Sequence, residues 1–160
     1  KKTRNILRKL NIVDKVEESY ENAVKDADIV IIGVPVAAFS KVIEKIALHL
    51  KENAIVTDVG SVKKSLITIA EKKLPKGIDF IPGHPIAGTE NSGPGAGFQG
   101  LFKNGYCILT PSTNIRKQSL DIVIKIFKVV IFPTKLFIKK SLIFLTTYSC
   151  LKSVNFSSYS

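Results

Sequence analysis

Apolar and polar positions along this chain alternate between short continuous runs and helical stripes. Ile6, Leu7 and Leu10 stand at helical spacing within Thr3 to Leu10, and Tyr20 to Ala27 reads as a second short helix. From Ala27 to Pro35 the sequence ADIVIIGVP is an apolar run closed by Gly33 and Pro35, as expected of a strand buried on both faces of a parallel sheet. Val36 to Leu50 is amphipathic, with Phe39, Val42, Ile43, Ile46, Ala47 and Leu50 on one stripe, and suits a crossover helix. Ala54 to Val59 is the next strand, and Gly60-Ser61 forms the turn out of it. Val62 to Lys73 returns to the helical period through Leu66, Ile69 and Ala70. Ile78 to Pro82 and Tyr106 to Thr110 read as a third and a fourth strand, and Asn114 to Phe127 as a helix. Strand and helix alternating at this spacing predict the α/β class, with a parallel, doubly wound sheet and right-handed crossovers.

Candidate chemistry is concentrated between Ile81 and Phe98, which reads IPGHPIAGTENSGPGAGF. A hydrophobic run ends in His84, held between Gly83 and Pro85. Glycines at 88, 93, 95, 97 and 100 follow, with Glu90, Asn91 and Ser92 among them. A histidine at a strand end, next to a loop able to fold over a ligand, is the layout of an α/β active site. Glycines also let backbone approach a ligand closely. The alternative is a surface loop with a structural histidine. His49, beside Leu48 and Leu50 in a helical stripe, reads as structural.

Composition narrows the function classes. A length of 160 residues fits one domain. The net charge of +11 suggests nucleic acid at first, but all 13 acidic residues lie at or before Asp121 and six lysines follow it. The part up to Asp121 is therefore only mildly basic. With no RNA-binding motif and no basic stripe interleaved with aromatics, no nucleic-acid partner is expected. Cys107 and Cys150 have neither metal nor redox spacing, so no metal is expected, and they fit a reducing, cytoplasmic setting. The start, KKTRNILRKLN, lacks the apolar core of a signal peptide. The chain contains no methionine, which leads to the expectation that the true start lies upstream.

After Asp121 the composition changes: the remaining residues include no Asp, Glu, Gly or Ala. Lys125, Lys128, Lys135, Lys139 and Lys140 interrupt the apolar stretch well short of the ~20 residues that a membrane span requires. Pro133 and the β-branched runs weigh against an amphipathic membrane helix, so no membrane partner is expected. The expected organisation is a nucleotide-binding part over residues 1–127 and an anomalous tail over 128–160. A reading frame lost near 127–133 in an AT-rich gene accounts for such a tail, and a divergent natural tail is the alternative.

Three segments, ADIVIIGVPV, IVTDVGSVK and GHPIAGTENSGPGAGFQGLFKNGYCILTP, resemble the prephenate dehydrogenase family, which includes arogenate and cyclohexadienyl dehydrogenases. The resemblance runs from Lys1 to about Phe127. It implies a partial Rossmann-like dinucleotide-binding domain from which the first βαβ unit, with its G-x-G-x-x-G turn, is missing. The family's helical domain, which dimerises and completes the substrate site, is missing as well, so a homodimer is expected only of a full-length protein. The implied reaction is oxidative decarboxylation of prephenate or arogenate with hydride transfer to NAD or NADP, in tyrosine biosynthesis. An inactive or binding-only remnant of such an enzyme is the alternative. A hydroxyacid or imine reductase of similar architecture is a weaker rival, because it lacks a GHPIAGTE-like segment.

The resemblance also implies roles for particular residues. His84 accepts the substrate hydroxyl proton, for which an imidazole with an unperturbed pKa of about 6.5 is suited. Ser61 contacts the same hydroxyl and orients His84; capping the following helix is the other reading. Gly33, Val34 and Pro35 line the path of the cofactor's adenosine half, with Asp58 and Gly60 also on the cofactor side. Glu90 stands at the mouth of the substrate pocket, unless it is an ordinary loop carboxylate. Lys63 reads as solvated rather than catalytic, and Asp58 could simply end its strand.

Overall fold

The structure, a computed structural model, describes residues 4–6, 9, 13–86, 100–102, 105–130, 135–139 and 143–144. Helix α1 (Tyr20–Val24) is capped by Ser19, whose hydroxyl accepts from the Asn22 N–H at 3.2 Å. Strand β1 (Ile29–Ile32) leads into α2 (Val36–Ile46), which ends in a single 3-10 turn (Ala47–His49). Then come β2 (Ile55–Asp58), α3 (Lys64–Lys73), β3 (Asp79–Ile86), β4 (Tyr106–Leu109) and α4 (Lys117–Val130). Two short strands, β5 (Lys135–Lys139) and β6 (Ile143–Phe144), follow within the segment that composition sets apart. Helix α4 itself runs across residue 127.

The strands form one sheet in the order β1-β2-β3-β4-β5-β6, with β6 also pairing with β4. Strands β1, β2 and β3 are parallel, and their register sets Ile32 level with Asp58 and Asp58 level with Pro82. All four residues of β2 are buried, since its alternating side chains meet a helix layer on each face. Val56 and Ile32 belong to one apolar cluster with Phe39, Val42, Ile43 and Ile46 of α2 and Leu66 of α3. The i, i+3, i+4, i+7 spacing of the α2 residues puts them on one face. Ile55 belongs to a second cluster with Ile81, Cys107, Leu109, and Val123 and Phe127 of α4. Each fully buried aliphatic side chain contributes roughly 1.5–3 kcal/mol.

One expectation needs correction: β4 is not a fourth parallel strand but runs antiparallel to β3, from Gly83 opposite Leu109 to Ile86 opposite Tyr106. A parallel neighbour needs a crossover helix. Here the last residue of β3, Ile86, instead pairs with the first of β4, Tyr106, so the two strands run in opposite directions. Strand β3 is also longer than its sequence pattern predicts. Its first half pairs with β2 and its second half, carrying His84, pairs with β4.

The amino edge of the sheet is fastened by Arg116, just ahead of α4. Its Nε donates to Asp79 Oδ2 at 2.6 Å, and its two terminal nitrogens donate to Asn53 Oδ1 (3.1 Å), Asn53 O (3.0 Å) and Gly77 O (3.3 Å). Asn53 and Gly77 both have positive φ, 61° and 90°, in the turns that precede β2 and β3. One planar guanidinium thus holds two left-handed turns and the start of β3 together.

Candidate active site at the carboxyl edge of the sheet

Because β1 and β2 end level, the loops leaving them meet at one edge, beyond the carboxyl ends where α/β sheets bind ligands. Gly33, Val34 and Pro35 leave β1, and Val59, Gly60 and Ser61 leave β2. The two loops are in contact. A Cβ at Gly33 would lie 3.8 Å from Val59 Cγ2, and one at Gly60 would lie 3.7 Å from Val36 Cγ2. Val36, Val59 and Val62 are exposed and give this edge an apolar surface.

Strand β3 does not stop at this edge, and that sets up the site. Thr110 N–H donates to Pro82 C=O at 3.0 Å, so Gly83 and Leu109 face each other as a pair without hydrogen bonds between them. The N–H and C=O of Gly83 therefore point toward the β2 side, where β2 has already ended. Two side chains take the place of the missing strand. Asp58 Oδ1 accepts from Gly83 N–H at 3.2 Å, and Lys63 Nζ donates to Gly83 C=O at 2.6 Å. Lys63 also reaches both Asp58 oxygens, at 2.8 and 2.6 Å, while Asp58 Oδ2 accepts from Gly60 N–H at 2.8 Å.

This ion pair is enclosed, with the side chains of Lys63 and Asp58 only 13% and 1% exposed. Gly83 must be glycine. A Cβ there would lie 2.8 Å from both Asp58 O and Phe127 Cζ, closer than real contacts allow. His84, the next residue, is half-buried. Burial, and then the positive charge of Lys63, hold its imidazole below the ordinary value of 6.5, with Asp58 acting in the opposite direction. A neutral, proton-accepting imidazole is thereby favoured. Burial likewise lowers the Lys63 ammonium from the usual lysine range, against the pull of Asp58. Cys107, opposite Pro85 on β4, is buried, and its thiol is pushed up to about 12, so it is neutral.

Of the residues singled out by the sequence, Gly33, Val34, Pro35, Asp58, Gly60, Ser61 and His84 all lie at this edge. Ser61 is exposed and does not cap the helix: α3 begins at Lys64, its N-cap position is Lys63, and no side chain caps it. Glu90 and its neighbours Asn91, Ser92, Gly93 and Gly95 lie outside the described residues. Lys63 corrects a sequence expectation. It is enclosed and fully engaged rather than solvated, because a carboxylate at the end of a fully buried strand needs a cation within reach. A cavity of about 390 Å³ lies elsewhere, between α3 and the β4–α4 connection, and His84 is not part of it. Among the described residues no group of three or more His, Cys, Asp or Glu could hold a metal ion, and no helix is long and apolar enough to cross a membrane.

A sheet whose first three strands are parallel, with helices on both faces and its candidate residues at the carboxyl edge, is a nucleotide-binding type of α/β domain. Residues 1–131 match the family described as "Prephenate dehydrogenase, nucleotide-binding domain", and the chain belongs to that family. It is 43% identical over 117 residues to the cyclohexadienyl dehydrogenase of Zymomonas mobilis, covering 73% of this chain and 40% of that protein. The crystal structure of Aquifex aeolicus prephenate dehydrogenase with hydroxyphenyl propionate and NAD+ superposes with a TM-score of 0.75 at 32% identity, over 86% of this chain and 47% of that one. Synechocystis arogenate dehydrogenase superposes with a TM-score of 0.78 at 26% identity, over 88% and 49%. The chain thus spans less than half the length of each of these relatives.

Proposed function

We propose that this chain forms the nucleotide-binding part of a dehydrogenase that oxidatively decarboxylates prephenate or arogenate, with NAD or NADP as the hydride acceptor. The observation that carries the reading is His84, held half-buried and biased toward its neutral form at the carboxyl edge of a domain of this family. The Aquifex relative, crystallised with NAD+ and a hydroxyphenyl acid, supports both ligands.

The residues present fit one part of a dinucleotide. Gly33 and Gly60, with the exposed Val36, Val59 and Val62, offer an apolar surface against which a ring can pack. Neither Pro35, which has no N–H, nor Gly60, whose N–H is committed to Asp58, offers a backbone donor to a pyrophosphate. When bound, the nicotinamide accepts the hydride from the ring carbon that bears the hydroxyl.

His84 takes the proton of that hydroxyl as the carbonyl forms. The carboxylate on the opposite ring carbon leaves as CO2, and aromatisation supplies the driving force. Ser61 donates to the same hydroxyl and orients it toward His84, and Glu90 borders the substrate entrance. Pairing into a homodimer and a cytoplasmic location complete the reading.

The test is a chimera in which this chain replaces the matching 117 residues of the Zymomonas enzyme. Prephenate- or arogenate-dependent reduction of NAD or NADP is expected. His84→Asn should lower kcat by about 10²–10⁴-fold, with a much smaller change in KM. Full turnover in that variant would remove His84 from the mechanism.

A further inference from the structure

We propose that Lys63, through its clamp on Asp58 and Gly83, is a positioning residue for His84 that sets both the place of the imidazole and its readiness to accept a proton. The proposal rests on reading His84 as the proton acceptor, and it assigns the charge next to that acceptor to a side chain that does not touch the reacting atoms.

Geometry carries the argument. Strand β3 outruns β2 at the position before His84, and backbone groups exposed in this way must find partners. A single carboxylate could satisfy the Gly83 N–H, but only a donor can satisfy its C=O. Lys63 is that donor, at 2.6 Å, and it reaches Gly83 from the loop that also carries Ser61. Its ammonium bonds Asp58 and the backbone simultaneously, so moving it would loosen Gly60, Gly83 and the start of α3 together. The two candidate substrate-contacting residues, Ser61 and His84, are in this way tied to one another through a buried pair.

Electrostatics agrees. The charged groups acting on His84 are Lys63, which opposes its protonation, and Asp58, which favours it. Strand β4 brings Cys107, a neutral thiol. Helix α4 brings Phe127 against Gly83, while its Lys125 and Lys128 are exposed. A positive charge is thus placed beside a base that must stay unprotonated, and it is itself held in place by a carboxylate.

The experiment is a titration of the His84 imidazole by NMR in the full chain, which has only two histidines. In the wild-type chain its midpoint is expected below the ordinary value of about 6.5. Lys63→Met should move the midpoint up. Lys63→Gln, which retains a donor for Gly83 but not the charge, should do the same and serves if the Met variant does not fold. Asp58→Asn, which removes the charge and keeps an acceptor oxygen for one of the two amides, should move it down. Opposite shifts from the two partners are a charge signature that a merely structural clamp cannot produce. A wild-type midpoint at or above the ordinary value would overturn the proposal, as would a midpoint unmoved in whichever Lys63 variant folds. Turnover of the His84→Asn chimera tests the dehydrogenase reading separately, so one can fail without the other.

Discussion

Both edges of the sheet are tied by one cation reaching across loops, yet the two cations sit in different surroundings. At the amino edge Arg116 binds Asp79, Asn53 and Gly77 with its side chain 42% exposed and that of Asp79 11% exposed. At the carboxyl edge Lys63 binds Asp58 and Gly83, with the Lys63 and Asp58 side chains 13% and 1% exposed. Arg116 holds turns that connect helices to strands, and water moderates its charge. Lys63 completes the pairing of a strand that has lost its neighbour, next to a histidine whose protonation it opposes. On the proposed reading, the same device serves stability at one edge and chemistry at the other, and burial beside a titratable group makes the difference.

Substitutions at the two edges should separate in size. The largest loss is expected from Asp58→Ala, which leaves a buried ammonium and two amides without their acceptor. Breaking a buried pair in this way costs about 3–5 kcal/mol, read by urea unfolding of the full chain. Gly83→Ala comes next, at about 1–3 kcal/mol for overpacking, because its new methyl would meet Asp58 O and Phe127. A melting temperature unchanged by that methyl would show that β3 does not approach β2 and α4 as closely as described. Arg116→Ala is expected to cost least, about 1 kcal/mol. Its effect should shrink as salt is raised, whereas that of Asp58→Ala should persist. Equal salt sensitivity at both edges would erase the distinction between them.

Much of this contrast was hidden from the sequence, and for physical reasons. The strands near 29–32, 55–58 and 106–109 and the helix near 36–46 were legible because burial on one or two faces imprints a period on the chain. The direction of β4 was not legible, since a strand looks the same whichever way it runs. His84 stood out because glycine and proline flank it. Lys63 did not, because a lysine one turn after a strand reads as solvent-facing until the strand end beside it is known to be buried. The signal that could have found it is Asp58 itself, a carboxylate closing an otherwise apolar buried strand. Arg116 was equally silent, since its partners at 53, 77 and 79 are brought near only by the sheet.

The most direct test of the contrast is the pH dependence of kcat/KM in the chimera, measured for the parent, Lys63→Gln and Arg116→Ala. If His84 is the proton acceptor, the parent's acid limb reports its protonation and should lie on the low side of an ordinary histidine, because burial and Lys63 both disfavour the charged form. Lys63→Gln should shift that limb to higher pH, so that activity is lost earlier as pH falls. Arg116→Ala should superimpose on the parent profile while melting at a lower temperature. A Lys63→Gln limb that coincides with the parent, or an Arg116→Ala limb that moves with it, would contradict the assignment of chemistry to one edge and stability to the other.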